Sequence, residues 1–373
     1  MSVFILDGGF CFMKRTLKFR WVGGHRVHQA LLVALFITAL FLPAMDQYFQ
    51  FLPQMESTEK RILAKRPTAD IRSLFSFPEA YEAYFHDNFG LRNLLVRWNS
   101  LIQFKWLKIS PHPMVLLGKN DWLFFSDKTT ILDYRGLHLW SAAELDAIEQ
   151  RLGSDTTMLK SRGIQYVVVV CPNKDTIYPE YMPATITKVS NVRRLDQLME
   201  LQKVNPELQI IDLRDVLRKW KASYLLYKKL DSHWNSIGGM VVYQEIMRNI
   251  AKVFPDVSPL AMADVDITVE ALEKADGDLA ALLAMGGVLP EVRVTVHRKA
   301  KLMPSKKIRK LLIFHDSFLA EIHPYLYHDF EQVVLINHGF AYINHETIQR
   351  EKPDVVIYEV IERSLDALLA ELR

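Results

Sequence analysis

The sequence predicts an α/β fold, a doubly wound and mainly parallel sheet, with one N-terminal transmembrane helix ahead of it. Short, largely apolar runs that read as strands recur at 164–170, 208–211, 310–314, 332–336 and 354–358, with helical segments between them. Runs apolar on both faces suit strands covered by helices on both sides, and strand–helix alternation makes the sheet parallel. An apolar stretch at 30–45 has Thr38 as its one polar interruption and reaches back to Val27. That length lies at the lower end for a membrane-spanning helix.

The elements follow in chain order. Lys14, Arg15, Lys18, Arg20 and Arg26 precede the apolar stretch, and Asp46 is the first charge after it. The positive-inside rule then places the N-terminus in the cytoplasm and the rest of the chain across the membrane. A cleaved signal peptide is the rival reading, although Met45-Asp46-Gln47 is a poor cleavage site. Met13-Lys14-Arg15 would also serve as a start. The organisation expected is a basic cytoplasmic segment 1–26, an anchor 27–45, a stalk or lead-in 46–79 and a folded domain 80–373. A helix over 80–85 leads into His86-Asp87-Asn88-Phe89-Gly90-Leu91-Arg92-Asn93, and helix resumes to 107. Residues 115–125 read as a hairpin, two apolar arms around a Gly/Asn/Asp turn. Ser141, with Glu144 three residues on, is a capping box for a helix to about 161. A helix at 237–253 follows the second strand. Residues 255–300 interrupt the alternation and are expected to cap the site.

Composition excludes several classes. The chain has 373 residues, 50% hydrophobic and 24% charged, with a net charge of +3. That is globular, and the basic excess sits at the N-terminus rather than in a stripe on the folded part, which argues against nucleic acid. Cys11 and Cys171 make no disulfide framework. No Cys/His spacing suggests a metal, and no cofactor is expected.

Two motifs carry the chemistry. Asp231-Ser232-His233-Trp234-Asn235 holds an Asp-x-His unit, and His315-Asp316-Ser317-Phe318 closes an apolar run. In a parallel sheet, ligands bind beyond the carboxyl ends of the strands, and Ser317, Asn173 and Asp231 are each expected to follow one. Serine is a poor nucleophile and needs a base within reach. His233 is the candidate base for Ser317, Asp231 the carboxylate that would orient it, and the Ser317 N–H a candidate oxyanion donor. Asn235 or Ser236 would cap the next helix. The plainer reading is an Asp-Ser helix cap and a chance Asp-x-His.

An ordered set of segments extends the argument. They are His86 to Arg92, Asn120-Asp121-Trp122-Leu123-Phe124, Pro172-Asn173-Lys174 with Tyr178-Pro179-Glu180, the Asp231 and Ser317 motifs, Gly277-Asp278-Leu279, and Glu359-Val360-Ile361-Glu362-Arg363. In this order, over about 80–365, the chain resembles the bacterial polysaccharide O-acetylation proteins typified by AlgJ and AlgX. The exported domain of that family is SGNH-hydrolase-like, with Asp-x-His ahead of the nucleophile. The resemblance implies Ser317 as nucleophile, His233 as base and Asp231 as its orienter. It departs at His315, where a glycine often stands, and leaves no room for a C-terminal carbohydrate-binding module.

The function implied is an O-acetyltransferase that moves acetyl groups through an acetyl-serine onto an exported polysaccharide. A membrane-bound O-acyltransferase would be its acetyl donor, in the inner membrane that the N-terminal helix spans. The rivals are an acetyl esterase and a non-catalytic polysaccharide-binding subunit. Asn173 and Lys174 would donate to oxyanion or substrate, or simply form a turn. Tyr178 would wall the pocket. Trp234 would stack on sugar or pack in the core. Arg92 would bind an anionic sugar or pair with Asp87. Trp122 reads as core and Glu362–Arg363 as an ion pair. His323, His328, His338 and His345 lack metal-ligand spacing and read as surface or loop histidines.

Overall fold

A computed structural model describes residues 24–51, 62–68, 75–299, 303–339 and 341–370. Cys11, Lys14, Arg15, Lys18 and Arg20 lie outside them. The chain divides into two compact units, with the boundary between Leu94 and Leu95.

In the first unit, helix Gly24–Phe49 continues past residue 45 and runs through Pro43. Its Val27–Phe49 portion, 23 residues, is long and apolar enough to cross a membrane. Leu35, Phe36 and Leu40 project outward with no protein over them. The second helix is Phe77–Asn88. At its end Asp87 Oδ2 accepts the Ala64 N–H at 2.8 Å, and Asn88 Nδ2 donates to the Ala64 carbonyl at 2.9 Å. Any Cβ on Gly90 would collide with the Pro43 carbonyl oxygen, so this turn lies directly against the long helix. The His86–Arg92 segment is thus a packing motif within this unit.

The second unit begins within helix Arg92–Leu101, continues as helix over Ile102–Leu107, and then forms the expected hairpin, β1 (Val115–Leu117) against β2 (Leu123–Phe125), antiparallel with Val115 opposite Phe125. Asn120 and Asp121 supply the left-handed turn at φ 56° and 60°. The Ser141/Glu144 capping box starts helix Ala142–Ser161. The central sheet contains β3 (Gln165–Cys171), β4 (Ile210–Asp212), β7 (Ile308–His315), β8 (Phe330–Asn337) and β9 (Val355–Ile361). Its order is β4-β3-β9-β7-β8 and every neighbouring pair is parallel. The last strand in sequence therefore fills the middle of the sheet.

Alternate residues on these strands enter two cores. Val167, Val169, Leu311, Ile313 and Ile357 meet helix Ser236–Ile250 through Met240, Tyr243 and Ile246. Tyr166, Val168, Leu312, Phe314, Val356 and Val360 meet Ile148, Leu152 and Leu198 on the opposite face. This is the doubly wound fold, and it explains why β3 and β9 are so largely apolar: all seven residues of each are buried, Gln165 and Glu359 among them. A buried Val or Ile stabilises by roughly 1.5–3 kcal/mol.

The interruption at 255–300 contains β5 (Val265–Ala275) and β6 (Leu289–Arg298), an antiparallel pair joined through helix Asp278–Leu282. It flanks the Asp231 loop, and a cavity of about 530 Å³ lies between them, lined by Lys228, Asp231, Asp278, Glu291 and Arg293.

Beside β3 lies a buried charge cluster. Arg194 Nε donates to Asp133 at 3.1 Å, and Arg193 lies 3.6 Å from Glu362 and 3.8 Å from Asp175. Glu362 therefore pairs with Arg193, not with Arg363 as the sequence reading had it. Burial raises Asp175 to about 7, against the Arg193 charge and with Glu362 and Asp133 adding to it. Burial likewise raises Asp133 to about 6, with Glu362 adding to it and Arg194 opposing. In the unfolded chain both ionise near ~3.9. Their contribution to stability is fully present below that value and is lost as pH rises through about 6 to 7. Lys174, lowered to about 7 by burial, adds an opposing slope only above that pH. The melting temperature should therefore fall as pH rises from about 5 to about 7. Asp175→Asn should flatten that fall; an equally steep profile in the variant would refute the assignment.

Candidate active site

Asp231, Ser232 and His233 stand at the tip of a tight loop between helices Arg214–Lys221 and Ser236–Ile250. The sequence reading had Asp231 following a strand, but only an isolated bridge, Tyr227 to Trp234, closes this loop. Leu226 O accepts the Asn235 N–H at 2.8 Å, and His233 O accepts the Lys228 N–H at 3.1 Å. Asn235 is the N-cap, its Oδ1 accepting from Ile237 and Gly238 at 3.0 and 3.1 Å.

Lys174 fixes the loop from beneath. It is buried, and Nζ donates to the carbonyls of Lys228 (3.0 Å), Lys229 (3.1 Å) and Asp231 (2.6 Å). This corrects the expectation that Lys174 contacts oxyanion or substrate, because its donors are spent on the backbone that carries Asp231.

The other loop begins where β7 ends. Asp316 caps the short 3₁₀ helix Ser317–Glu321, its Oδ1 accepting the Phe318 N–H at 2.8 Å. Its Oδ2 accepts the Ile361 N–H at 2.8 Å, which bolts the turn to the central strand. The Asp316 N–H donates to Glu359 Oε2 at 2.9 Å, and the Cys171 thiol donates to Glu359 Oε1 at 2.9 Å. Burial, then the Asp316 charge, pushes the Glu359 carboxyl well above its usual range. His315 needs no left-handed backbone here. Its Nδ1 lies 2.7 Å from the Asp316 carbonyl, to which it donates, so the turn accommodates a side chain where a glycine often stands.

The two loops meet. His233 Nε2 lies 2.8 Å from Ser317 Oγ, and His233 Nδ1 lies 2.7 Å from Asp231 Oδ1. An ionised carboxylate only accepts, so Nδ1 carries the proton and Nε2 presents its lone pair to the serine hydroxyl. Burial works against the Asp231 charge. The hydrogen bond and charge of His233 outweigh it, helped by the N–H groups of Asp278 and His233, and hold the carboxyl far below its usual range. Ser317 is exposed, and as the first residue of a helix its N–H has no intrahelical acceptor.

Contacts around Phe318 and Glu321 hold the loops together. The Phe318 ring lies 4.6 Å from the His233 ring and 4.9 Å from Trp234. Glu321 accepts from Lys228 Nζ at 2.7 Å and from Ser236 Oγ at 2.8 Å. A Cβ on Gly239 would collide with the Glu321 carbonyl.

Trp234 is fully buried with Nε1 donating to the Phe318 carbonyl at 3.0 Å, so it is no stacking platform for sugar. Tyr178 is buried too. Its hydroxyl accepts the Leu226 N–H at 2.9 Å, and its ring lies 4.7 Å from that of Trp122, so it belongs to the core rather than to a pocket wall. Asn173 is buried, and neither side-chain atom has a partner among the described residues. Arg92 belongs to the first unit, where Nε donates to the His86 carbonyl at 2.8 Å. Of the two readings for the histidines, His328 and His338 fit the loop one: both lie outside helix and strand and are buried.

Sequence reasoning missed Asp278. Its Oδ1 accepts the Ser232 N–H at 2.7 Å, its own N–H donates to Asp231 Oδ2 at 3.0 Å, and Oδ2 lies 3.5 Å from His233 Nδ1. Gly277-Asp278-Leu279 was visible as a segment, but only the fold brings it to the loop. Asp231, His233 and Asp278 place ligand-type atoms within 4.8 Å of one another. Those atoms are already bonded to one another and to Ser232, so the cluster serves the histidine and is a poor cradle for a metal.

A family model described as SGNH hydrolase-like domain, acetyltransferase AlgX, matches residues 115–321. The chain is similar to a probable alginate O-acetylase AlgJ of Pseudomonas syringae pv. tomato, 23% identical over 322 residues, 78% of each chain. It is also similar to a probable alginate O-acetylase AlgJ of Pseudomonas fluorescens, 22% identical over 179 residues, 48% of this chain and 43% of that one. Among solved structures, the O-acetyltransferase domain of Pseudomonas putida AlgJ aligns at a TM-score of 0.44 and 19% identity, covering 67% of this chain and 91% of the other. Bacillus cereus PatB1 aligns at 0.46 and 17%, covering 68% and 98%.

Proposed function

The chain belongs to the family of SGNH hydrolase-like AlgX acetyltransferase domains, and on that premise we propose that it is a serine-dependent O-acetyltransferase of an exported polysaccharide. The observation that carries this is the unbroken line from Asp231 through His233 to an exposed Ser317, with contacts of 2.7 and 2.8 Å.

Ser317 Oγ attacks the acetyl carbonyl while His233 Nε2 takes its proton. Asp231 stabilises the resulting imidazolium and keeps its orientation. The Ser317 N–H, with the unpartnered Asn173 amide as a second donor, supports the oxyanion. The donor's leaving group departs with the proton from His233, and acetyl-serine remains. A sugar hydroxyl then gives its proton to His233 and attacks that ester; the bond to Ser317 Oγ breaks and His233 returns the proton to it. The acceptor is a polysaccharide, alginate among the candidates because the relatives are named as alginate O-acetylases. The acetyl donor is a membrane-bound O-acyltransferase, since acetyl-CoA is cytoplasmic.

Residues 27–45 anchor the chain in the inner membrane, 1–26 stay in the cytoplasm, 46–79 lead in, and 80–373 work outside. The test mixes the protein with p-nitrophenyl acetate and an oligosaccharide and weighs the products. Acetylated oligosaccharide is expected. Free acetate alone would make the protein an esterase, and no turnover would make it a binding subunit.

A further inference from the structure

Arg363 follows the central strand β9 directly and opens the 3₁₀ segment Glu362–Leu369 at its second residue. Its guanidinium carbon lies 4.8 Å from the centre of the Phe125 ring and 5.6 Å from that of Phe318. Phe318 is the residue after Ser317, and its ring also touches the His233 imidazole. One aromatic ring therefore has the candidate base and a guanidinium as neighbours.

The guanidinium has no hydrogen bond or ion pair with any described residue. Arg193, Arg194 and Arg214 in the same unit each hold carboxylates. The acids whose charges reach Arg363 are Asp316, Asp278, Asp127 and Asp175. Each is engaged elsewhere through at least one oxygen. Asp316 holds Phe318 and Ile361 N–H groups, Asp278 holds Ser232, Asp127 caps Thr130, and Asp175 faces Arg193. The guanidinium is half-buried and its nitrogens are not sealed from solvent, so the fork can exchange water for an acceptor on a ligand. Its planar fork matches a carboxylate in a bidentate pair, and stacking on two rings keeps that fork oriented.

We propose that Arg363 is the acceptor-selecting residue of this site, receiving a carboxylate on the sugar whose hydroxyl attacks acetyl-serine. The assignment rests on the acetyl-serine reading above. Phe125 and Phe318 hold the guanidinium at the edge of the catalytic loops, so a sugar anchored there by its acid group presents a hydroxyl to Ser317. A neutral sugar would leave the guanidinium without an acceptor at the same position.

The test uses the full chain in detergent, p-nitrophenyl acetate as donor, and two acceptors of equal length and linkage: a uronate oligomer and the same oligomer with its carboxyl groups reduced to alcohols. The wild type should favour the acidic oligomer in kcat/KM. A charge-assisted hydrogen-bonded pair is worth roughly 1.5–3 kcal/mol, so Arg363→Gln should shrink that preference about 10- to 100-fold, mainly through KM. Arg363→Lys, which keeps the charge and loses the fork, should fall between and serves if the glutamine variant does not fold. A preference unchanged in either folded variant, or absent in the wild type, would overturn the assignment. Mass analysis of the wild-type protein separates the two readings. Acetyl-serine with an unchanged preference defeats only the role of Arg363, whereas no acetyl-serine defeats the acetyl-serine reading and this assignment with it.

Discussion

Replacing Ser317 with alanine should abolish the acetyl-enzyme and lower turnover of p-nitrophenyl acetate by ~10⁴-fold or more, about 5 kcal/mol of barrier. The hydroxyl is the only group removed, and among the described residues its one hydrogen bond is to His233. Ser317 is exposed at the start of its short helix, and the turn is shaped by Asp316 and the Ile361 N–H rather than by Oγ. An exposed substitution of this kind changes stability by no more than about 0.5 kcal/mol, so the melting temperature should hold while activity is lost. Acetyl label that persists on the alanine variant would place the nucleophile elsewhere. Residual turnover without label would be the work of the remaining donors on the oxyanion.

Asp231→Asn should cost about 10³–10⁴-fold in kcat/KM, by a different route. Oδ1 of Asp231 accepts from both the His233 N–H and Nδ1, and Oδ2 accepts from the Asp278 N–H. Three donors converge on two oxygens, and an amide offers only one. If its NH₂ group turns toward His233, it donates to Nδ1, drives the ring proton to Nε2 and leaves the His233 backbone N–H without its acceptor. The imidazole then points a donor at Ser317 and cannot take its proton. If the NH₂ group turns toward Asp278, it meets another donor and leaves a buried N–H unpaired, at about 1–3 kcal/mol of stability. Each orientation leaves one backbone N–H facing a donor, so kinetics rather than a melting curve separates the two. Activity within about tenfold of wild type would show that the carboxylate does not set the tautomer.

Much of the fold was legible because its signals are local. The capping box at Ser141 and Glu144, the left-handed turn at Asn120 and Asp121, and strands apolar on both faces need only neighbouring residues to be read. Ser317 and His233 were legible as a pair because nucleophile and base are a chemically constrained couple. What escaped depends on contacts far apart in sequence. Trp234 looked available for a ligand, yet the Phe318 carbonyl takes its N–H. Lys174 looked like a substrate contact until the fold turned it toward three carbonyls. Glu362 appeared to have a neighbour in Arg363, whereas its partner is Arg193. Asp278 sits on an inserted hairpin, and no periodicity ties that hairpin to the Asp231 loop.

The stitching of the two loops through Trp234, Phe318, Gly239 and Glu321 has a consequence for how such a site is recognised. His233 and Ser317 are 84 positions apart along the chain, but their separation in space is set by side chains within about a turn of each. Much of the intervening length is spent on the β5–β6 ribbon, which touches the loop that bears the base through Asp278 and, on β6, through Glu291, whose carboxylate accepts the Lys229 and Leu230 N–H groups at 3.1 and 2.7 Å. The ribbon away from Asp278 and Glu291 can lengthen or shorten without altering the reactive pair. A search keyed to the interval between the two motifs would overlook proteins with this centre, whereas one keyed to the welds around them would find it.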